Sequence, residues 1–251
     1  MAPLLELRGI SATRGVEAAL RDVSLSIEAG GSLGLLGRSG SGKSSLLRIV
    51  AGLDAPEKGQ VLLGGAPASA DGRVLIPPHR RGVAMLFQDL ALWPDLTLLQ
   101  NVALGLCGSG IPRRERAVRA HGALERCSVH ALAHRKPAEV SGGESQRAAL
   151  ARAMAVEPRL LLLDEPFSSL DPVTKQDMTS RVRALTRDHG VAIVLVTHDP
   201  LEMLALCSDA VVLEAGRVVE SGRVADLLRT PRSPVLCAFR DQLIRGPADG
   251  P

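Results

Sequence analysis

The residues with the clearest chemistry are Gly37-Arg38-Ser39-Gly40-Ser41-Gly42-Lys43-Ser44, which fit G-x-x-x-x-G-K-[ST], a loop that cradles nucleotide phosphates. Glycines at 37, 40 and 42 let backbone N–H groups approach a phosphate with no side chain in the way. In this pattern Lys43 reaches the β- and γ-phosphates and the Ser44 hydroxyl ligates magnesium. A second piece is Leu160-Leu161-Leu162-Leu163-Asp164, an apolar run that delivers a carboxylate to a strand end, suited to holding the same magnesium. Glu165 follows directly and is placed to polarise an attacking water as general base. His198 stands just after another apolar run, Val191 to Thr197, and is a candidate contact to the γ-phosphate.

Elements must bring these pieces together. Ser32 to Leu36 reads as a buried strand before the loop, and Ser45 to Ala51 as a helix after it with Gly52 as its stop. Leu4 to Leu7, Val23 to Ile27, Gln60 to Leu63 and Val83 to Phe87 read as further strands, and residues 64–82 as a Gly-, Pro- and Arg-rich surface connection. From Leu98 to Met154 the texture is helical, with helices over Arg113 to Cys127 and Glu144 to Val156. Asp171-Pro172 supplies an N-cap and first-turn proline for a helix closed by Gly190. Ala210 to Leu213 and Arg217 to Glu220 flank a hairpin turn, and the chain from Arg223 reads as a short helix and then a Pro-rich tail. The pattern is that of βαβ units on a parallel sheet with a helical insertion.

Bulk properties exclude several classes. The 251 residues carry 30 Lys and Arg against 27 Asp and Glu, with no long basic run, so nucleic acid is not an expected partner. Cys107, Cys127, Cys207 and Cys237 lack metal or disulfide spacing and read as small buried hydrophobes of a reducing compartment. No apolar run reaches membrane-span length and no signal peptide is visible, which predicts a cytoplasmic protein whose membrane link comes through a partner.

Val140-Ser141-Gly142-Gly143-Glu144-Ser145-Gln146-Arg147 resembles the signature motif of the ATP-binding cassette (ABC) ATPases. Phe87-Gln88 looks like that family's Q-loop, Ser168-Ser169-Leu170-Asp171 its D-loop and Thr197-His198-Asp199 its switch histidine, all in family order. The resemblance implies a P-loop NTPase (RecA-like) α/β fold: a parallel sheet core, an N-terminal antiparallel β subdomain and an α-helical insertion carrying the signature. It sets a domain over residues 4–235, with the core at about 1–90 and 157–222, the helical subdomain at about 91–156, and a short tail at 236–251. It implies ATP and Mg2+, with Gly37, Arg38, Ser39, Gly40, Ser41, Gly42, Lys43, Ser44 and Ser45 on the nucleotide. Ser44, Gln88 and Asp164 would surround the metal, and Glu165, His198 and Gln88 would act in hydrolysis. It also implies two such subunits packed head to tail, so that Ser141, Gly142, Gly143 and Asp171 of one chain face the ATP held by the other.

Two positions depart from the family pattern. Glu144 stands where many signatures carry glutamine. The aromatic that stacks on adenine is absent near residues 13–15, where Thr13, Arg14 and Gly15 stand, and Arg14 is the residue available to stack on the base. The segment Pro77 to Thr97 is similar to the importer branch, in which a coupling helix of a separate membrane permease docks after the Q-loop. Leu92 and Trp93 are then the expected exposed contacts, against the alternative that Trp93 packs the helical insertion on the core. The implied function is ATP-driven solute import from the inner face of the membrane. A soluble ABC-type ATPase of repair, chromosome maintenance or cluster assembly is the competing class, and an ATP-binding module without hydrolysis a third.

Overall fold

The computed structural model describes residues 2–15, 17–108 and 110–245, with the side chains of Arg14, Glu17 and Arg245 outside the description. Strands β1 (Leu5–Arg14), β2 (Glu17–Ile27), β4 (Lys58–Leu63), β5 (Ala66–Ala70) and β6 (Arg73–Val74) form an antiparallel sheet in the order β2-β1-β4-β5-β6. The main sheet contains β3 (Ser32–Leu36), β7 (Val83–Leu86), β8 (Leu160–Asp164), β9 (Ala192–Val196), β10 (Asp209–Glu214) and β11 (Arg217–Arg223) in the order β11-β10-β3-β9-β8-β7. Its five strands from β10 to β7 are parallel, and only β11 runs against its neighbour. The α/β fold expected from the sequence is present, parallel core and antiparallel subdomain included.

Eight helices complete the described chain: α1 (Lys43–Ala51), α2 (Leu98–Gly105), α3 (Arg113–Arg126), α4 (Gly142–Ala155), α5 (Pro172–Asp188), α6 (Pro200–Leu206), α7 (Val224–Arg229) and α8 (Pro234–Arg245). The leucine run of β8 shows how the layers are held. Successive strand residues point to opposite faces, so Leu160 and Leu162 enter one core and Leu161 and Leu163 the other. The first core packs α1, through Leu46, Leu47, Ile49 and Val50, between the main sheet and β1, β2 and β4. The second receives Val102 of α2, Leu124 of α3, Leu150 of α4 and Val182 of α5 on the opposite face. Helices α2 to α4 lie between β7 and β8 in sequence, which makes them the expected helical insertion.

Three expectations need correction. Residues 64–82 are not a plain connection: β5 and β6 extend the antiparallel sheet, followed by a 3-10 turn at Pro78–Arg80. Pro67 hides that strand from a sequence reading, and it is tolerated because it sits where the β4–β5 register shifts. The expected tail from residue 236 begins inside a helix, since α8 runs through residues 236–245 and buries Leu236 and Phe239 in the second core; residues 246–251 lie outside the described part. Of the cysteines, Cys127 and Cys207 are buried, and burial pushes the Cys127 thiol up to about 11. Cys107, by contrast, is exposed and accepts a hydrogen bond from Arg116.

Candidate functional site

The loop between β3 and α1 has the backbone that only glycine allows. A Cβ on Gly37 (φ 148°) would stand 2.3 Å from the Leu213 carbonyl oxygen, and one on Gly42 (φ 102°) 2.3 Å from that of Ala19. At Gly40 (φ 80°) there is open space, where a ligand can approach the backbone. Gly42 caps α1 with no side-chain hydrogen bond, and no acidic residue lies in the first turn. The helix therefore presents unclaimed N–H groups and its positive dipole end to the loop. The Ser41 hydroxyl is buried without a hydrogen-bond partner. Lys43 Nζ donates to the carbonyls of Gly37 (2.8 Å) and Arg38 (3.0 Å), so the ammonium is folded over the cradle. Burial pushes its pKa down, opposed by the carboxylates of Glu165 and Asp164.

Asp164 ends β8 beside this loop, and Ser44 Oγ donates to its Oδ1 at 3.2 Å. Burial raises the Asp164 pKa, with the Ser44 hydrogen bond pulling the other way. Gln88 lines the same cleft of about 920 Å³ as Ser44, Ser45 and Asp164. Hydroxyl, carboxylate and amide oxygens make a hard donor set that fits Mg2+, an ion that keeps much of its shell for water and phosphate. Among the described residues no cluster of three His, Cys, Asp or Glu side chains forms a complete protein cage. The open backbone at Gly40, the uncapped helix and the orphaned Ser41 hydroxyl fit a phosphate chain in the same way.

Next to Asp164, Glu165 adopts φ 46°, and its N–H donates to Val196 O on the neighbouring strand. Glu165 Oε2 lies 3.3 Å from His198 Nδ1, whose side chain is 69% exposed. Both neighbours of His198 are tied down. Thr197 donates to Glu202 (2.5 Å), which is buried, and Lys175 of α5 bridges Glu202 (3.1 Å) and Asp199 (3.0 Å). That network was not read from the sequence, where Lys175 looks like one more charge on an exposed helix.

Ser141 to Gly143 do not line the cleft. They start α4, where Ser141 and Glu144 form a reciprocal capping box: the Ser141 hydroxyl also donates to Glu144 Oε2 at 2.9 Å. A Cβ on Gly143 would stand 2.8 Å from Thr174 Cγ2, so this turn packs on the start of α5, which Asp171 caps. The structure therefore joins the phosphate loop, Gln88, Asp164, Glu165 and His198 in one place and gathers the signature and Asp171 in another. The Arg14 side chain lies outside the described residues.

The segment after Gln88 is exposed and held from the helices. Trp93 is 60% exposed, which removes the alternative that it packs on the core, whereas Leu92 is partly buried against it. Asn101 of α2, itself fully buried, accepts from Trp93 N–H (2.7 Å) and donates to the Trp93, Leu96 and Thr97 carbonyls. Leu90 and Ala91 have φ of 59° and 45°, a left-handed pair costing about 1–2 kcal/mol per residue. Arg152 of α4 donates to both of their carbonyls. Asn101 and Arg152 carried no signal in the sequence beyond their position on helices.

The ABC transporter family model matches residues 20–168. The chain belongs to the ABC transporter family. Among its relatives are the Fe(3+) ions import ATP-binding protein FbpC of Rhizobium etli, 41% identical over 90% of this chain and 62% of the relative. The methionine import ATP-binding protein MetN of Cupriavidus necator is 40% identical over 96% of this chain and 71% of the relative. The dimeric post-hydrolysis state of an ATP-binding cassette bound to ADP and Pi is similar at a TM-score of 0.76 and 30% identity, over 87% of this chain and 98% of that one. This chain spans about three-fifths of the length of the FbpC relatives.

Proposed function

We propose that this ABC chain is the ATP-hydrolysing subunit of a solute importer, acting with Mg2+ on the cytoplasmic face of the membrane beside a separate permease. The observation that carries the reading is the convergence of the cradle at Gly37 to Ser45 with Asp164, 3.2 Å from Ser44, and with the Glu165–His198 pair at 3.3 Å. Loop N–H groups and Lys43 hold the β- and γ-phosphates, Lys43 exchanging its bonds to the Gly37 and Arg38 carbonyls for phosphate oxygens. Ser44, Asp164 and Gln88 would hold the metal, which would supply charge neutralisation at the phosphate oxygens. Glu165 accepts the proton of the attacking water, and His198 orients that carboxylate and reaches the γ-phosphate.

A second copy packed head to tail completes the site with Ser141, Gly143 and the N-terminus of α4, an anion site set apart from the chain's own cradle. The dimeric ADP- and Pi-bound relative supports the pairing of two copies. The permease docks near Gln88 to Thr97, supported by the exposure of Trp93. No helix among the described residues is long and apolar enough to cross a membrane, so the membrane contact falls to that partner. The relatives' names carry different cargoes, Fe(3+) and methionine, as expected when cargo contacts lie in the permease.

Glu165→Gln tests the chemistry. It keeps ATP binding and lowers single-turnover hydrolysis by about 10²–10⁴-fold. Near wild-type hydrolysis by the variant overturns the assignment.

A further inference from the structure

Gln88 lies in the cleft with Ser44 and Asp164, and only Asp89 separates it from the left-handed pair Leu90 and Ala91. A turn closes over this stretch, with Leu90 N–H donating to Phe87 O at 3.0 Å. Phe87 stands just past the end of β7, and that bond uses the Leu90 N–H alone; the carbonyls of the pair are held from elsewhere. Arg152 Nη2 donates to Leu90 O at 2.7 Å and Nη1 to Ala91 O at 2.5 Å, from the far half of the helix that begins with the signature. Space for the arginine stem is built in: a Cβ on Gly105 of α2 would stand 3.0 Å from Arg152 Cγ. Three residues further on, Asn101 of α2 holds Trp93, Leu96 and Thr97.

Residues 90–97 are thus fastened to α4 at one end and α2 at the other, while Gln88 belongs to the nucleotide cleft. Two non-glycine residues in the left-handed region persist only where their surroundings over-determine them. Here that restraint comes from Arg152, whose charge-assisted bonds fill two carbonyls at once. Along the backbone Gln88 is four residues from Leu92 and five from Trp93, and between them Arg152 is the side chain that ties the stretch to α4.

We propose that Arg152 is a positioning residue that links the state of Gln88 to the Trp93 loop and to the signature helix. The proposal deepens the nucleotide-site reading above and rests on it.

The chain supplies its own reporter, because Trp93 is the single tryptophan and there is no tyrosine. The experiment follows Trp93 emission on adding Mg2+ with a non-hydrolysable ATP analogue, with calorimetric titration of the same samples. The wild type shows a saturable emission change. Arg152→Met loses it while analogue affinity stays within about threefold of wild type. Arg152→Lys, which restores a cationic donor on a similar stem, recovers part of the change and serves if the methionine variant does not fold. A full emission change in Arg152→Met, no recovery in Arg152→Lys, or no change in a wild type that binds the analogue overturns the proposal. Failure of the wild type to bind the analogue overturns the nucleotide-site reading, and this inference with it.

Discussion

Removing the Arg81 guanidinium tests what holds the phosphate-loop helix in place. Arg81 is almost fully buried, and its five hydrogen bonds all go to neutral oxygens: Ile76 O (2.8 Å), Ile49 O (3.2 Å), Val50 O (2.9 Å), Ala68 O (2.9 Å) and Ser69 Oγ (2.6 Å). Two of these acceptors are in the last turn of α1, where the dipole favours a cation, and Ile49 O also accepts from Gly52 N–H. Two others are in β5, so one side chain ties the end of α1 to the antiparallel sheet. Burial lowers the Arg81 pKa, because desolvation disfavours the charged guanidinium. Arg81→Ala leaves buried neutral acceptors without this donor, at about 1–3 kcal/mol for each that keeps no other partner, and a total cost of roughly 3–5 kcal/mol is expected. For a chain of this size that lowers Tm by roughly 10 °C. Arg81→Lys recovers little, because three donors on one ammonium cannot span both elements.

A double-mutant cycle sharpens the test. A Cβ on Gly52 would stand 2.3 Å from Arg81 Nε, so Gly52→Ala clashes with the guanidinium in addition to its strain at φ 79°. That clash disappears in Arg81→Ala, and the two substitutions are expected to be less than additive by about 1 kcal/mol or more. Urea unfolding of the four proteins reads out every term. An Arg81→Ala loss below about 1 kcal/mol, or strict additivity with Gly52→Ala, refutes the reasoning.

Further outcomes are expected elsewhere. The raised pKa of Asp164 means that its contribution to stability is complete below the unfolded-state pKa and is lost as pH rises through the folded one. Asp164→Asn therefore unfolds at higher urea than ligand-free wild type at neutral pH, with the gap closing in acid, while turnover falls on the order of a hundredfold or more. Lys175→Met leaves the buried Glu202 carboxylate with Thr197 alone, a loss of about 3–5 kcal/mol by urea melt, together with a fall in kcat as the His198 loop loosens. Trp93→Ala leaves the melting of the purified subunit unchanged and weakens its recovery with permease-containing membranes, by more than about 2 kcal/mol if Trp93 anchors the interface. Unfolding of that variant on its own would show that the ring stabilises the subunit instead.

The amino-acid sequence by itself determined the parts whose geometry is local. A glycine-rich turn between a buried strand and an uncapped helix makes an anion site from consecutive residues, so Gly37 to Ser45 were legible without any partner. Asp164 and Glu165 are adjacent at the end of a run whose burial on both faces shows in its composition, and Asp171 announces a helix by capping chemistry. Tertiary structure alone decided the rest, because it depends on which distant groups packing brings together. Arg152 reads in sequence as a solvated charge on a helix, and only the approach of α4 to residues 90 and 91 turns it into the restraint on a strained turn. The same holds for Lys175 against Glu202 and for Arg81 against α1 and β5. A buried polar group must find a partner, but its type names only the kind of partner; the packed chain supplies which one.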